Sequence, residues 1–194
     1  GLMLAMGSIA AMQRMSGPAE PVSAASATET ITVTATVNEW ISFSVSPTSV
    51  TLSPDPVDSS GNENVASSTD ITLVCGTNDG SGFTIQINED AGDGLSSGAN
   101  SIDLSSVTGT ITAGTDGYGI QATTTSANTS IAYRYAWWGN NVVGQIDNTP
   151  RPFVTSTAAV ASATTTAKFK AACDKMQPSG SYQDTVTVVC AGAS

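Results

Sequence analysis

From Thr28 onward the chain alternates apolar and hydroxyl-bearing residues with a period of two, and this pattern limits its fold more than any other feature. In "TETITVTATV", Ile31, Val33, Ala35 and Val37 fall on one side, with Thr30, Thr32, Thr34 and Thr36 on the other. Successive side chains of a strand point to opposite faces, so such a run predicts a half-buried strand. "WISFSVS" repeats the pattern with Ile41, Phe43 and Val45. "DITLVC" sets Ile71, Leu73 and Cys75 inward, and beyond the turn-forming "GTNDGSG" the run "FTIQIN" does the same with Phe83, Ile85 and Ile87. Two alternating runs around an Asn/Asp/Gly loop predict a β-hairpin. A second hairpin is predicted near the C-terminus, where "DKMQPSGS" separates two further runs. "AKFKAAC" puts Phe169, Ala171 and Cys173 on one face and Lys168 and Lys170 on the other, and "YQDTVTVVC" aligns Tyr182, Val186, Val188 and Cys190. Shorter strands are expected in "SIDLSSVTGTITAG", "GYGIQATT" and "SIAYRYAWW", and "AAVASATTTAKFKAA" is Ala-rich enough for a turn of helix. Many short strands between turn residues indicate an all-β sandwich, as opposed to a parallel α/β sheet.

Composition narrows the function. Charged residues are only 11% of the 194, and the net charge is −10. With 6 Lys and Arg against a phosphate backbone, a nucleic-acid partner is not expected. There is no histidine, which removes the commonest general base and the commonest transition-metal ligand. We therefore expect no enzyme, no cofactor and no resident metal. The three cysteines, Cys75, Cys173 and Cys190, are too far apart for a Cys-x-x-Cys motif. In an exported protein they read as one disulfide and an odd thiol.

The N-terminus, "GLMLAMGSIAAMQRMSGPAEP", is apolar and nearly uncharged. As a signal peptide it is badly spaced. "ASA" before Thr28 suits a cleavage site, but Arg14, Pro18, Glu20 and Pro21 separate it from the apolar run, and no basic start precedes Leu2. As a membrane span it is too short, because a helix needs ~20 apolar residues and Arg14 interrupts it. The remaining reading is an arm buried in a neighbouring subunit. Leu2, Leu4, Met6 and Met12 give a usable strand face, although Ile9 is the one β-branched residue and a short helix stays open. Residues 16–27 have linker composition, so the expected organisation is an assembly arm and linker at 1–27 and a β-sandwich at 28–194.

Other candidates are weaker. Asp55, Asp58 and Glu63 sit in one acidic loop and Glu89, Asp90 and Asp93 in another, yet neither has calcium-loop spacing, and acidic turn residues are the simpler reading. Tyr133, Tyr135, Trp137 and Trp138 concentrate the aromatics. They could stack on sugars, but alternation favours burial of Tyr133, Tyr135 and Trp137 in a core or interface. Asn128-Thr129-Ser130 is a glycosylation sequon on an expected loop.

"ITLVCGTNDGSGFTIQIN", followed much later by "PSGSYQDTVTVVC", resembles secreted Ig-like fibre subunits, namely spore-coat-U-like domains and the pilins of archaic chaperone–usher pili. Their final strand reads Gly-x-Tyr-x-Asp-Thr-Val-x-Val, matched here by Gly180, Tyr182, Asp184, Thr185, Val186 and Val188. "YGIQ" is similar to a stretch in many bacterial surface proteins with this sandwich. The resemblance covers roughly residues 28–190 as a pattern of strands. It implies an Ig-like, pilin-like sandwich lacking its last strand, completed by an N-terminal extension of the next subunit in a head-to-tail homopolymer. It also implies a Cys75–Cys190 bridge between the second and sixth strands, with Cys173 left over. A complete seven-strand labelling would bridge Cys75 to Cys173 instead. The first strand here has no cysteine, a departure from the family's frequent first-to-second-strand disulfide. The functional expectation is a non-enzymatic subunit of an extracellular pilus-like filament without a membrane span. The alternative is a monomeric cell-surface or carbohydrate-binding module.

Overall fold

The structure, a computed structural model, describes residues 27–103, 106–136, 139 and 141–193. In the described residues the strands are β1 (Ile41–Ser46), β2 (Ala66–Ser67), β3 (Ile71–Thr77), β4 (Phe83–Glu89), β5 (Leu95–Ser97), β6 (Asn100–Ile102), β7 (Thr108–Thr110), β8 (Gly117–Thr124), β9 (Thr129–Ile131), β10 (Val142–Gly144), β11 (Arg151–Ser156), β12 (Val160–Ala172) and β13 (Val186–Gly192). Antiparallel pairing arranges one sheet as β1-β3-β12-β8-β10-β7, with β2 also on β12, and a second as β13-β4-β11-β9. A small two-stranded sheet, β5-β6, pairs with neither but buries Leu95 and Ile102 in the same core. The protein is an all-β sandwich, as alternation predicts.

The core forms where the inward faces of the two sheets meet. Ile71, Leu73 and Cys75 on β3 and Phe83, Ile85 and Ile87 on β4 are all buried, as their spacing predicts. Phe153 on β11 meets Tyr135 edge to face, with ring centroids 5.1 Å apart.

Three expectations are corrected. The runs around "GTNDGSG" are not a hydrogen-bonded hairpin: β3 belongs to one sheet and β4 to the other, so the loop is an arch across the sandwich. The runs around "DKMQPSGS" behave in the same way, with β12 and β13 in opposite sheets. Alternation identifies the inward face but not whether the chain turns within a sheet or crosses to the next. The Ala-rich segment is the 13-residue strand β12 and not helix. Its small inward residues, Ala163, Ala167 and Ala171, are at most 2% exposed and fit the crowded centre of a sheet.

Residues Val37–Ser194 form one compact unit. The strand expected at 28–37 is absent: residues 27–40 have no regular secondary structure. Ile31, Val33 and Val37 are 86%, 87% and 83% exposed. The arm residues Leu2, Leu4, Met6, Ile9 and Met12 lie outside the described residues. No helix among the described residues is long and apolar enough to cross a membrane.

Candidate assembly groove

Each sheet ends in a strand with one partner. Among the described residues, β1 pairs with β3 alone and β13 with β4 alone, so both have an unpaired edge. The inward side chains of these strands, Phe43 and Val45 on β1 and Val186, Val188 and Cys190 on β13, pack on the core but are only partly buried. Their neighbours on β3 and β4 are at most 6% exposed. A groove of about 1250 Å³ opens over this region, floored by core side chains such as Val45, Leu73, Ile87, Phe169 and Val188. Its rim is built from the loops at 47–58 and 177–185.

One end of the sandwich is closed by the disulfide Cys75–Cys190, which ties β3 to β13 with Cα atoms 6.8 Å apart. Ile71 and Leu73 on β3, and Val186 and Val188 on β13, line the groove at the other end. The strands run parallel in opposite sheets, because β3 runs into the 78–82 loop, β4 runs out of it, and β13 is antiparallel to β4. Cys173 is the free thiol and is buried, and burial raises its pKa.

The residues of the Gly-x-Tyr-x-Asp-Thr-Val stretch hold the rim. Asp184 accepts a 2.9 Å hydrogen bond from the Tyr118 hydroxyl, joining that stretch to the "YGIQ" stretch on β8. Tyr118 also stacks on Phe169, with centroids 5.8 Å apart. The Tyr182 hydroxyl donates to the Pro178 carbonyl at 2.7 Å and accepts from the Gln177 amide at 3.1 Å, which closes the turn. Ser96 and Gln183 exchange two backbone hydrogen bonds of 2.9 Å, fastening the segment to β5.

Behind this rim lies a carboxyl group that sequence reading placed in an acidic turn. Glu89 is 1% exposed. Burial, aided by the charges of Asp184, Asp103 and Asp93, pushes its pKa up to about 7, against the backbone N–H of Gly94 that favours the charge. Burial also raises Asp184, opposed by the Tyr118 hydroxyl. Tyr118 is pushed well above 10, chiefly by burial and then by Asp184. The signal was in the parity: Glu89 continues the inward series Phe83, Ile85, Ile87.

The remaining candidates do not converge. Asp58 accepts the backbone N–H of Ser60 at 2.8 Å and of Asn62 at 2.9 Å, so it shapes its own turn. Glu63 accepts the Lys175 backbone N–H at 3.1 Å. Asp55, Asp90 and Asp93 do not join these in a cluster, and no group of three or more His, Cys, Asp or Glu is arranged to hold a metal among the described residues. Of the aromatics, Tyr135 is buried, whereas Tyr133 is 75% exposed, because a 3₁₀ turn at Tyr133–Tyr135 replaces the expected alternation. Trp137 and Trp138 lie outside the described residues. Asn128 is exposed at a left-handed turn, φ 57°, ahead of β9. Lys170 does face away from the core, but that face is covered. Its ammonium group donates to Ser67 and Asn141 at 3.1 Å each.

No protein-family model, no curated protein and no solved structure matches the chain.

Proposed function

We propose that this chain is a non-enzymatic structural subunit of an extracellular, pilus-like filament, in which an apolar strand from one copy completes the sandwich of another. The observation that carries the reading is the groove between the unpaired edges of β1 and β13, over inward residues left partly uncovered. A strand added there would gain main-chain hydrogen bonds along an edge, and its alternate side chains would enter the core. The likeness of "PSGSYQDTVTVVC" to the final strand of secreted fibre subunits supports the same reading. The Cys75–Cys190 bridge is compatible with export to an oxidising compartment.

The exposed Tyr133 ring favours the second reading, a monomeric surface module that stacks on sugars. Negative-stain electron microscopy of the native material separates the two. Fibres are expected, and uniformly dispersed particles that bind polysaccharide would replace the first reading with the second.

A further inference from the structure

The geometry points to residues 30–37 as the strand that one copy inserts into the groove of the next. This rests on the filament reading and names the inserted segment, which that reading leaves open.

Ile31, Val33, Ala35 and Val37 form an apolar stripe, and the threonines between them form a polar one. Ile, Val and Thr are the residues that suit a pleated, half-buried surface. Yet this segment belongs to no strand, and its three largest side chains are 83–87% exposed. An exposed run of such composition is a liability unless a partner covers it. The stripe also has the right dimensions. From residue 31 to 37 an extended chain covers about 20 Å. β13 spans the same number of residue steps, Val186–Gly192, and offers inward positions at the same two-residue spacing.

Strand direction favours a second copy as the donor. Ile41 at the start of β1 pairs with Thr77, and Ser46 at its end pairs with Thr72. β13 starts opposite Glu89 and ends opposite Phe83. Since the 78–82 loop joins Thr77 to Phe83, β1 runs away from that end of the sandwich and β13 runs towards it. Residues 38–40 are fastened at the same end. The Trp40 N–H donates to Asn78 Oδ1, the Asn78 amide donates to the Asn38 carbonyl, and the Thr77 hydroxyl donates to the Trp40 carbonyl, each at 2.9 Å. A segment folding back from this anchor into its own groove would run opposite to β1 and therefore parallel to β13. A segment from a second copy can run antiparallel to β13, the more stable pairing. It then points the same way as β1, so the body of the donor follows beyond the open end of the groove with unchanged polarity. Every copy is both donor and acceptor, and a head-to-tail contact of this kind repeats into an open fibre.

The test uses the full chain. Ile31→Asp combined with Val33→Asp charges the stripe at exposed positions; a matched pair, Leu4→Asp with Met6→Asp, charges the extreme N-terminus. Circular dichroism and an intact Cys75–Cys190 bridge check folding. Fibres are expected to be lost in the first variant and kept in the second. A synthetic peptide of residues 28–37 is expected to raise the melting temperature of the first variant and to shorten wild-type fibres. Fibres that survive Ile31→Asp with Val33→Asp, or that vanish with Leu4→Asp and Met6→Asp, would overturn the assignment while leaving the filament reading standing. A wild-type chain that forms no fibres would overturn both.

Discussion

Glu89 shows how one side chain can carry a pH dependence for the whole fold. It occupies an inward position of β4 with its carboxyl group out of water, and its pKa rises to about 7. The folded state therefore holds a proton that the unfolded state has released between about pH 4.5 and 7. The resulting stability is fully present below the ordinary glutamate pKa and is lost as pH rises through 7. Asp184 shifts in the same direction and adds to the slope. Glu89→Gln keeps the shape without the charge. It should flatten the decline between pH 5 and 8 and stabilise the protein at pH 8 by roughly 2–3 kcal/mol. Urea unfolding at the two pH values measures this, and an unchanged slope would show that Glu89 is not the group responsible. The residue was legible in part, since strand parity places it inward. Its acidic neighbours in "NEDAGDG" pointed instead to a solvated turn.

At the level of elements, the inward faces of β3 and β4 could be read directly from alternation, and so could Val186, Val188 and Cys190 on β13. Sheet membership could not. A short Gly-rich loop serves equally for a hairpin within a sheet and for an arch between sheets, and the choice is made by partners distant in sequence. Here β12 takes the place beside β3, and β13 and β11 flank β4. The same limit explains the N-terminal strand expected at 28–37, whose pattern is that of a strand although the chain offers it no pairing partner among the described residues. The disulfide depends on the arch, because it joins the two sheets across 115 residues of sequence. Cys75→Ala with Cys190→Ala should lower stability by about 2–5 kcal/mol, the range for native bridges that close long loops. Denaturant titration checks this. A loss well under 1 kcal/mol would mean that the edge strand β13 is held by β4 and the core alone.

On the scale of the whole molecule, β1 and β13 each keep one unpaired edge among the described residues, and residues 27–40 belong to no strand. Low charge and hydroxyl-rich outer faces could be read as an exported surface, and the absence of histidine removed most catalytic constellations. Composition did not single out the alternating stripe before β1. The Met- and Leu-rich N-terminus drew attention because its hydrophobicity is continuous, whereas the stripe at Ile31, Val33 and Val37 is interleaved with threonine and so has a lower average. Periodicity, not mean hydropathy, marks a chain that inserts one face into a core. The central claim is that a second copy supplies the strand missing between β1 and β13. An electron cryomicroscopy map of the assembled fibre tests it most directly. The expected map shows a continuous strand antiparallel to β13, with Ile31, Val33 and Val37 directed into the core of the neighbouring subunit. A fibre whose groove is vacant, or filled by a segment of the same copy, would contradict it.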